Sequence, residues 1–515
     1  MRINILEYLD QAAVEYGSKI AYSDGIDDMS FAEVQEKSLA IGSYLAGAGI
    51  RRKPVAVFMR RHPSTVSAYF GVVTAGCFYI PLDEEMPAFR IELILENIKP
   101  EIIICDNHTQ KQAEKFALSS KLVLFEDLIS TEINPELLAE VRSSVIDTDL
   151  VYIVFTSGST GVPKGVAACH RNVIDYIEQL TDILQVNENT VFGNQTPLYL
   201  DACLKELIPV LKTGAKTYII PKQLFLFPLK LVEYINEHKI NTVCWVVTAL
   251  TMISGLKVLE KSVPSSLHTI AFASEVFPIR QFKLWKQALP QARFINFYGP
   301  TETTGVCCFY EVDRDFGDDE MIPIGKPFAN REIFLIKEDG SSAQIGEVGE
   351  IYIRGSSITH GYYGDFVRTS EAFVQNPLNE MYPELVYKTG DLGRINEEGQ
   401  LVFVSRKDYQ IKHMGQRIEL GEIESAASSS EKTGLVGCIY DKDKKRIILF
   451  YTGEQDDVSL RNLLTEKLPR YMLPARLIHL SELPLTGNKK IDRNELMNIY
   501  KNGGKLNGTD FRNTE

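Results

Sequence analysis

The sequence predicts an α/β protein: a large N-terminal domain of parallel α/β sheets with a barrel-like β subdomain, and a small, mobile α+β domain at the C-terminal end. Three observations predict it. At 515 residues the chain exceeds what one hydrophobic core serves, so two to four domains are expected. Short apolar, β-branched runs alternate with helical stretches up to about residue 320, the rhythm of a parallel sheet with crossover helices. From about Met321 the texture changes to short strands separated by turn residues, and past about Asp408 to a more charged mixture of helix and strand.

Taken in order, the N-terminal stretch MRINILEYLDQAAVEYG reads as an amphipathic first helix, without the basic-then-apolar layout of a secretory leader. Ser30, with Glu33 three residues on, forms a capping-box pattern opening a second helix. Val55 to Met59 reads as a buried strand, Val66 to Ala75 as a helix, and Cys77 to Leu82 and Ile102 to Cys105 as further strands. Val151 to Phe155 is another such strand, and a loop of hydroxyls and glycines follows it. The rhythm resumes with a helix over Val173 to Leu184 and strands at Lys216 to Ile220, Thr242 to Val247, Thr269 to Phe272 and Ala292 to Phe297. Glu332 to Lys337, Gly349 to Arg354 and Gly399 to Val404 read as the antiparallel, barrel-like subdomain. Strands around Leu435 to Tyr440 and Arg446 to Tyr451 and a helix from Val458 make up the small domain. The expected divisions are 1–407 for the core (β subdomain 321–407), 408–501 for the small domain and 502–515 for a frayed polar tail.

Composition narrows the function classes. The 44% hydrophobic and 24% charged content is that of a globular protein with ample core. A net charge of -13 argues against non-specific binding to nucleic acid or anionic membranes. The eight cysteines show no C-x-x-C pair and no clustering with histidine, so neither a zinc site nor a disulfide framework is indicated. Free thiols in a reducing cytoplasm are the expectation, and no uncharged apolar run approaches a membrane span.

The chemistry-bearing stretches begin with Thr156-Ser157-Gly158-Ser159-Thr160-Gly161, closed by Pro163, Lys164 and Gly165. Glycines let backbone N–H groups turn inward around an anion, the hydroxyls add donors, and Lys164 adds a fixed positive charge. A phosphate-binding loop is the reading; it is not a Walker A loop, because Lys164 lies between Pro163 and Gly165 rather than opening a helix after Gly. A flexible Ser/Gly surface turn is the bland alternative. Glu302 follows the run Phe294 to Tyr298 and the turn Gly299-Pro300, where α/β sheets hold ligands, and reads either as a Mg²⁺ ligand beside phosphates or as a helix-capping acid. Asp391, in Tyr387-Lys388-Thr389-Gly390-Asp391-Leu392-Gly393, is placed either to accept from both hydroxyls of a ribose or to close an Asx turn. Ser405 to Lys412 has the unpatterned charge of a linker whose dihedrals change in a domain rotation, and Thr486 to Arg493 is a basic Gly/Asn loop.

Together these stretches resemble the adenylate-forming superfamily, and within it the amino-acid-activating adenylation domains of non-ribosomal peptide assembly and the D-alanine–carrier protein ligases. FTSGSTGVPKG, NFYGPTE, YKTGDLG, RKDYQIKHMGQRIELGEIE, LPRYMLP and LTGNKKIDR occur in the family's order, over about Phe31 to Arg493. GVVTAGCFYIPLD and GEVGEIYIRGSSITHGYY are weaker matches. The resemblance implies that Thr156, Ser157, Gly158, Ser159, Thr160, Gly161 and Lys164 hold ATP's phosphates and that Glu302 binds Mg²⁺. It implies that Ser274, Phe297, Tyr298, Gly299 and Thr301 border the nucleotide, with Tyr298 near the adenine, and that Asp391 and Arg406 hold the ribose. Lys490 matches the family's lysine that stabilises charge on the attacked α-phosphate and the substrate carboxylate, which with Thr156 and Glu302 makes up the implied catalytic set. Asp408 matches the hinge, and the Gly415 region the path of an incoming phosphopantetheine thiol.

The same resemblance implies a substrate class. Asp201 falls where amino-acid activators place an acid for the α-ammonium group, and Ala202, Lys205, Trp245, Ala271, Ala273, Phe297, Gly305 and Val306 match the remaining pocket positions. Trp245 and Phe297 would fill volume and favour a small side chain such as alanine's. Lys205 pulls toward an acidic side chain such as glutamate's, unless Glu206 neutralises it. The sequence departs from the family pattern at Leu200, Cys203, Ser274, Ser405 and Lys489, and none of these removes a charge that the reaction needs. The expectation is a monomeric, cytoplasmic ligase that uses ATP and Mg²⁺ and loads a small amino acid onto a separate phosphopantetheinylated carrier protein. An acyl- or aryl-CoA ligase and a non-catalytic nucleotide-binding partner of an assembly line are the rival readings.

Overall fold

The computed structural model describes residues 2–117, 119–158, 161–486 and 491–501. The chain divides into two compact units, the first of Met1–Glu84, Ile98–Phe155 and Gly165–Lys407, the second of Glu85–Asn97, Thr156–Lys164 and the chain from Asp408 onward. The junction at Lys407 and Asp408 is short: strand Leu401–Arg406 ends on one side, and strand Gln410–His413 begins on the other. The charged stretch from Ser405 to Lys412 is therefore mostly strand. Two pieces that the sequence places in the N-terminal core, Glu85–Asn97 and Thr156–Lys164, group instead with the C-terminal unit.

The first unit holds three sheets. A six-stranded sheet runs in the order Lys121–Leu124, Ile102–Cys105, Pro54–Phe58, Phe78–Leu82, Leu150–Thr156, Lys164–Cys169. Its central strands pair in parallel, with Val55 opposite both Tyr79 and Ile102. Pro54–Phe58 is buried at every position, as a parallel strand covered on both faces must be. A nine-stranded sheet has a parallel centre (Thr242–Val246, Thr269–Ala273, Arg293–Tyr298, flanked by Val191–Asn194 and Lys216–Ile219) and antiparallel strands toward its edges. The strands Ile20–Ser23 and Val191–Asn194 lack a long apolar run, and it is pairing with Lys216–Ile219 that makes them strands. The third sheet is antiparallel, built on Arg331–Ile336, Val348–Gly355, Leu385–Ile395, Phe373–Gln375 and Leu401–Arg406.

Local signals operate as chemistry requires. Ser30 accepts a hydrogen bond from the Glu33 amide and the Glu33 carboxylate accepts from the Ser30 amide, a capping box opening helix Phe31–Gly47. The second unit has a hairpin of Gln410–His413 and Gln416–Glu419 and a three-stranded sheet of Thr433–Asp441, Arg446–Gly453 and Arg476–His479. Helices Leu420–Ser428 and Asp457–Lys467 contribute Ile423, Leu460 and Leu464 to its core, beside Leu449 and Met472.

Candidate active site

In the second unit, the loop that leaves strand Leu150–Thr156 is shaped by glycine. A Cβ on Gly158 would lie 2.0 Å from the Val162 carbonyl oxygen, so no other residue fits there, and Gly161 has φ +84°. The Gly158 amide donates to Glu422 Oε2 at 3.2 Å, Ser157 Oγ donates to the Arg417 carbonyl at 2.9 Å, and Lys164 Nζ lies 3.6 Å from Glu419 Oε1. Carboxylates thus stand where the amide and the lysine could take phosphate oxygens. Glu422 also pairs with buried Arg90, and burial raises its carboxyl's pKa. Thr156 is buried with its hydroxyl unpartnered among the described residues. Ser159, Thr160 and Lys490 lie outside the described residues.

In the first unit, Asp391 sits within strand Leu385–Ile395 rather than in a turn; Gly390, at φ +72°, bends the strand without ending it. Its carboxylate accepts from Tyr298 Oη at 2.6 Å and from Arg406 Nη1 at 2.5 Å, and its amide donates to Thr389 Oγ1. Register places Asp391 opposite Arg406 across the antiparallel pair. Burial and the Asp391 charge raise the Tyr298 phenol well above its usual range, so it stays a neutral donor.

Glu302 lies in the turn Thr301–Thr303 that follows strand Arg293–Tyr298, with no exposed surface. Tyr362 donates to its Oε1 at 2.8 Å, fixing the carboxylate. A single oriented carboxylate of hard oxygens fits a Mg²⁺ ion that keeps waters and phosphate oxygens as its other ligands. Thr301 Oγ1 donates to Asp201 Oδ1 at 3.2 Å, which ties this turn to the turn Asp201–Cys203. Gly299 packs its Cα against Gly305 and Val306, and a Cβ there would lie 2.4 Å from the Gly305 carbonyl oxygen. Ser274 has φ +73°, a conformation that glycine adopts more readily.

Asp201 opens the turn Asp201–Cys203 and is 6% exposed; its Oδ2 has no hydrogen-bond partner among the described residues. Desolvation raises its pKa, opposed by Lys205 and the Thr301 hydroxyl. Ala271, Ala273, Phe297 and Val306 share one buried cluster with Cys244, and Ala202 is half-buried beside Asp201. Trp245 does not join them. In the parallel register Cys244 pairs with Ala271 and Trp245 with Phe272, so Trp245 faces away and packs with Phe225 and Ile220. Its indole donates to the Gly193 carbonyl, and its bulk does not narrow the pocket.

Lys205 is 4% exposed and makes no hydrogen bond or ion pair among the described residues. Glu206 does not neutralise it by contact: its oxygens accept from Asn194 Nδ2 at 2.7 Å and the Cys244 amide at 3.0 Å. Burial pushes the Glu206 carboxyl up to about 7.

The sequence alone left two residues unmarked. Tyr362, which holds Glu302, and Tyr176, whose buried hydroxyl is unpartnered, come from distant elements. A polar-tipped aromatic on an otherwise apolar helix face was the only available signal for Tyr176. Among the described residues, Asp24, Asp27 and His62 form the one group spaced to hold a metal. His62 Nδ1 accepts the Ser64 amide, so Nε2 carries the proton and donates to Asp27 at 2.9 Å. That leaves no imidazole lone pair for a cation.

Similarity to known proteins shows the class to be that of adenylate-forming enzymes. The AMP-binding enzyme family matches residues 9–363, and the chain belongs to that family. It is 30% identical over 510 residues to the D-alanine–D-alanyl carrier protein ligase of Bacillus licheniformis, covering 96% of this chain and 99% of that protein. It is 32% identical over 508 residues to Bacitracin synthase 1 of the same species, covering 97% of this chain but 9% of that protein. The fold matches that of the Vibrio cholerae adenylation domain AlmE in complex with glycyl-adenosine-5'-phosphate, with TM-score 0.84 and 22% identity over 98% of both chains. No helix among the described residues is long and apolar enough to cross a membrane.

Proposed function

We propose that the chain activates an α-amino acid with ATP, as an aminoacyl-AMP, and transfers the aminoacyl group to the phosphopantetheine thiol of a carrier protein. The observation that carries the amino-acid reading is the buried Asp201 carboxylate with one oxygen left unpartnered. A buried carboxylate without a cation in contact is costly, and a substrate ammonium supplies one. The carrier reading draws on the D-alanyl carrier protein ligase, which this chain matches along nearly its full length.

In this reading the substrate carboxylate attacks the α-phosphorus, an acyl–phosphate anhydride forms, and pyrophosphate leaves. The thiol then attacks the acyl carbon and AMP leaves. Two anions meet in the first step, so the chain's work is positioning and charge neutralisation. Lys164 and the Gly158 amide take phosphate oxygens, and Glu302, oriented by Tyr362, would hold Mg²⁺, whose charge would neutralise phosphate oxygens. Asp391 and Arg406 take the ribose hydroxyls, and Lys490, assigned by its motif, neutralises the attacked phosphate. Phe297 and Val306 limit the pocket and favour a small substrate, while Lys205 favours one whose side chain carries a hydrogen-bond acceptor.

ATP–pyrophosphate exchange across the proteinogenic amino acids, D-alanine and a set of aryl and fatty acids tests this. Exchange with one or two amino acids is the expected result. Exchange with simple carboxylic acids alone would overturn it in favour of a CoA ligase, and nucleotide binding without any exchange in favour of a non-catalytic partner.

A further inference from the structure

Tyr176 lies on helix His170–Leu184 with no exposed surface, its ring within the main core of the first unit. Its hydroxyl has no hydrogen-bond partner among the described residues. A phenylalanine would satisfy the ring's packing without burying a polar atom, so the hydroxyl calls for a partner that arrives from outside. Asp201 Oδ2 is buried and unpartnered in the same way.

The two atoms border one place. A Cβ built on Gly305 would lie 3.6 Å from the Tyr176 hydroxyl and 3.7 Å from Asp201 Oδ2, at ordinary contact distance. An atom the size of a methyl carbon thus fits over Gly305 in contact with both groups, and the residue's φ of +80° disfavours any side chain of its own there. The helix is anchored at the preceding residue: Asp175 accepts from Arg331 Nη2 at 2.8 Å and from Asn330 Nδ2 at 3.1 Å, which fixes how Tyr176 enters the site.

Resting on the amino-acid reading above, we propose that Tyr176 is a substrate-positioning residue whose hydroxyl joins Asp201 Oδ2 in taking the substrate's α-ammonium group over Gly305. An ammonium offers three N–H donors; the carboxylate takes one with its charge, and the phenol oxygen accepts a second. Burial raises the Tyr176 phenol well above its usual range, so it presents a neutral oxygen and adds no second negative charge. A carboxylic acid without the amino group leaves both atoms unpartnered, so Tyr176 adds discrimination as well as affinity.

The test is Tyr176→Phe in the full chain, with exchange kinetics measured for the preferred amino acid and for its des-amino carboxylic acid, alongside the Tm of each protein. The expected result is a fall of about tenfold in kcat/KM for the amino acid, carried by KM, the size of one lost hydrogen bond to a charged group. The des-amino acid is unaffected, so the preference for the amino group narrows by the same factor, and Tm is unchanged or higher because no protein hydrogen bond is lost. If wild type shows amino-acid exchange and the variant keeps its full preference, or loses both substrates equally as Tm falls, the assignment of Tyr176 is overturned alone. If wild type shows no exchange with any amino acid, the amino-acid reading fails, and this assignment with it.

Discussion

Two buried aspartates in the first unit, Asp391 at 3% and Asp201 at 6% exposure, have opposite surroundings. Asp391 has an oxygen on Tyr298 and the other on Arg406, the latter opposite it in the sheet register. Asp201 has one oxygen on Thr301 and, among the described residues, no partner for the other. The protein itself supplies a cation in contact with Asp391, whereas the Lys205 charge acts on Asp201 without contact. A carboxylate held by two protein donors is fixed in place and keeps further lone pairs to accept with; one with an unpartnered buried oxygen is the more costly to desolvate.

The contrast breaks most sharply on removal of each acid. Asp391→Ala leaves the buried Tyr298 and half-buried Arg406 donors without their shared acceptor, and stability is expected to drop by about 4 kcal/mol, read by chemical denaturation. Asp201→Ala is expected to leave stability unchanged or slightly higher, since burial disfavours its charge. Its amino-acid-dependent exchange should fall by about 3 kcal/mol, on the order of a hundredfold in kcat/KM. Equal losses of stability in the two variants would erase the distinction. Because the Asp201 carboxyl is raised by desolvation and must be ionised to take a cation, KM for the amino acid should climb as pH falls into the acidic range, and do so at a higher pH than an ordinary Asp would cause.

Glu206 sharpens the comparison in pH. Its folded pKa of about 7 exceeds its ordinary 4.5, so folding favours the neutral acid. Its contribution to stability is complete below pH 4.5 and lost as pH rises toward 7, up to about 3 kcal/mol. Glu206→Gln should flatten the stability profile across that window; a variant profile that still falls like wild type's would exclude Glu206 as its source. The smallest effect is expected at Lys205. Lys205→Met removes the charge that offsets the buried Asp201 and Glu206 carboxyls, and should lower stability by about 1 kcal/mol while shifting the amino-acid preference away from acceptor-bearing side chains. Exchange profiles of wild type and variant that coincide across the amino acids would remove Lys205 from the pocket.

The class of enzyme was legible from the sequence. The alternation of strands and helices, the glycine loop, Glu302 and Asp391 all rest on short-range patterns, and such patterns survive in a linear reading because propensity and local sterics act over a few residues. The turn at Gly390 misled for the same reason: a glycine beside an Asp reads as a turn locally, yet pairing with Val348–Gly355 and Leu401–Arg406 holds the segment as one strand.

What only the tertiary structure decided is which side chains meet. Whether Trp245 or Cys244 faces the pocket depends on the parallel register with Thr269–Ala273, and a strand's period of two makes that choice absolute. The approach of Tyr176 to Gly305 and Asp201 joins a helix, a turn and a loop that are far apart in the chain. So does the distinction between the satisfied Asp391 and the unsatisfied Asp201. The sequence determined that this chain carries the parts of an adenylate-forming enzyme, because those parts are local. The structure decided which of its buried polar groups have partners and which have none among the described residues, because a hydrogen bond depends on distances in space that the order of residues does not contain.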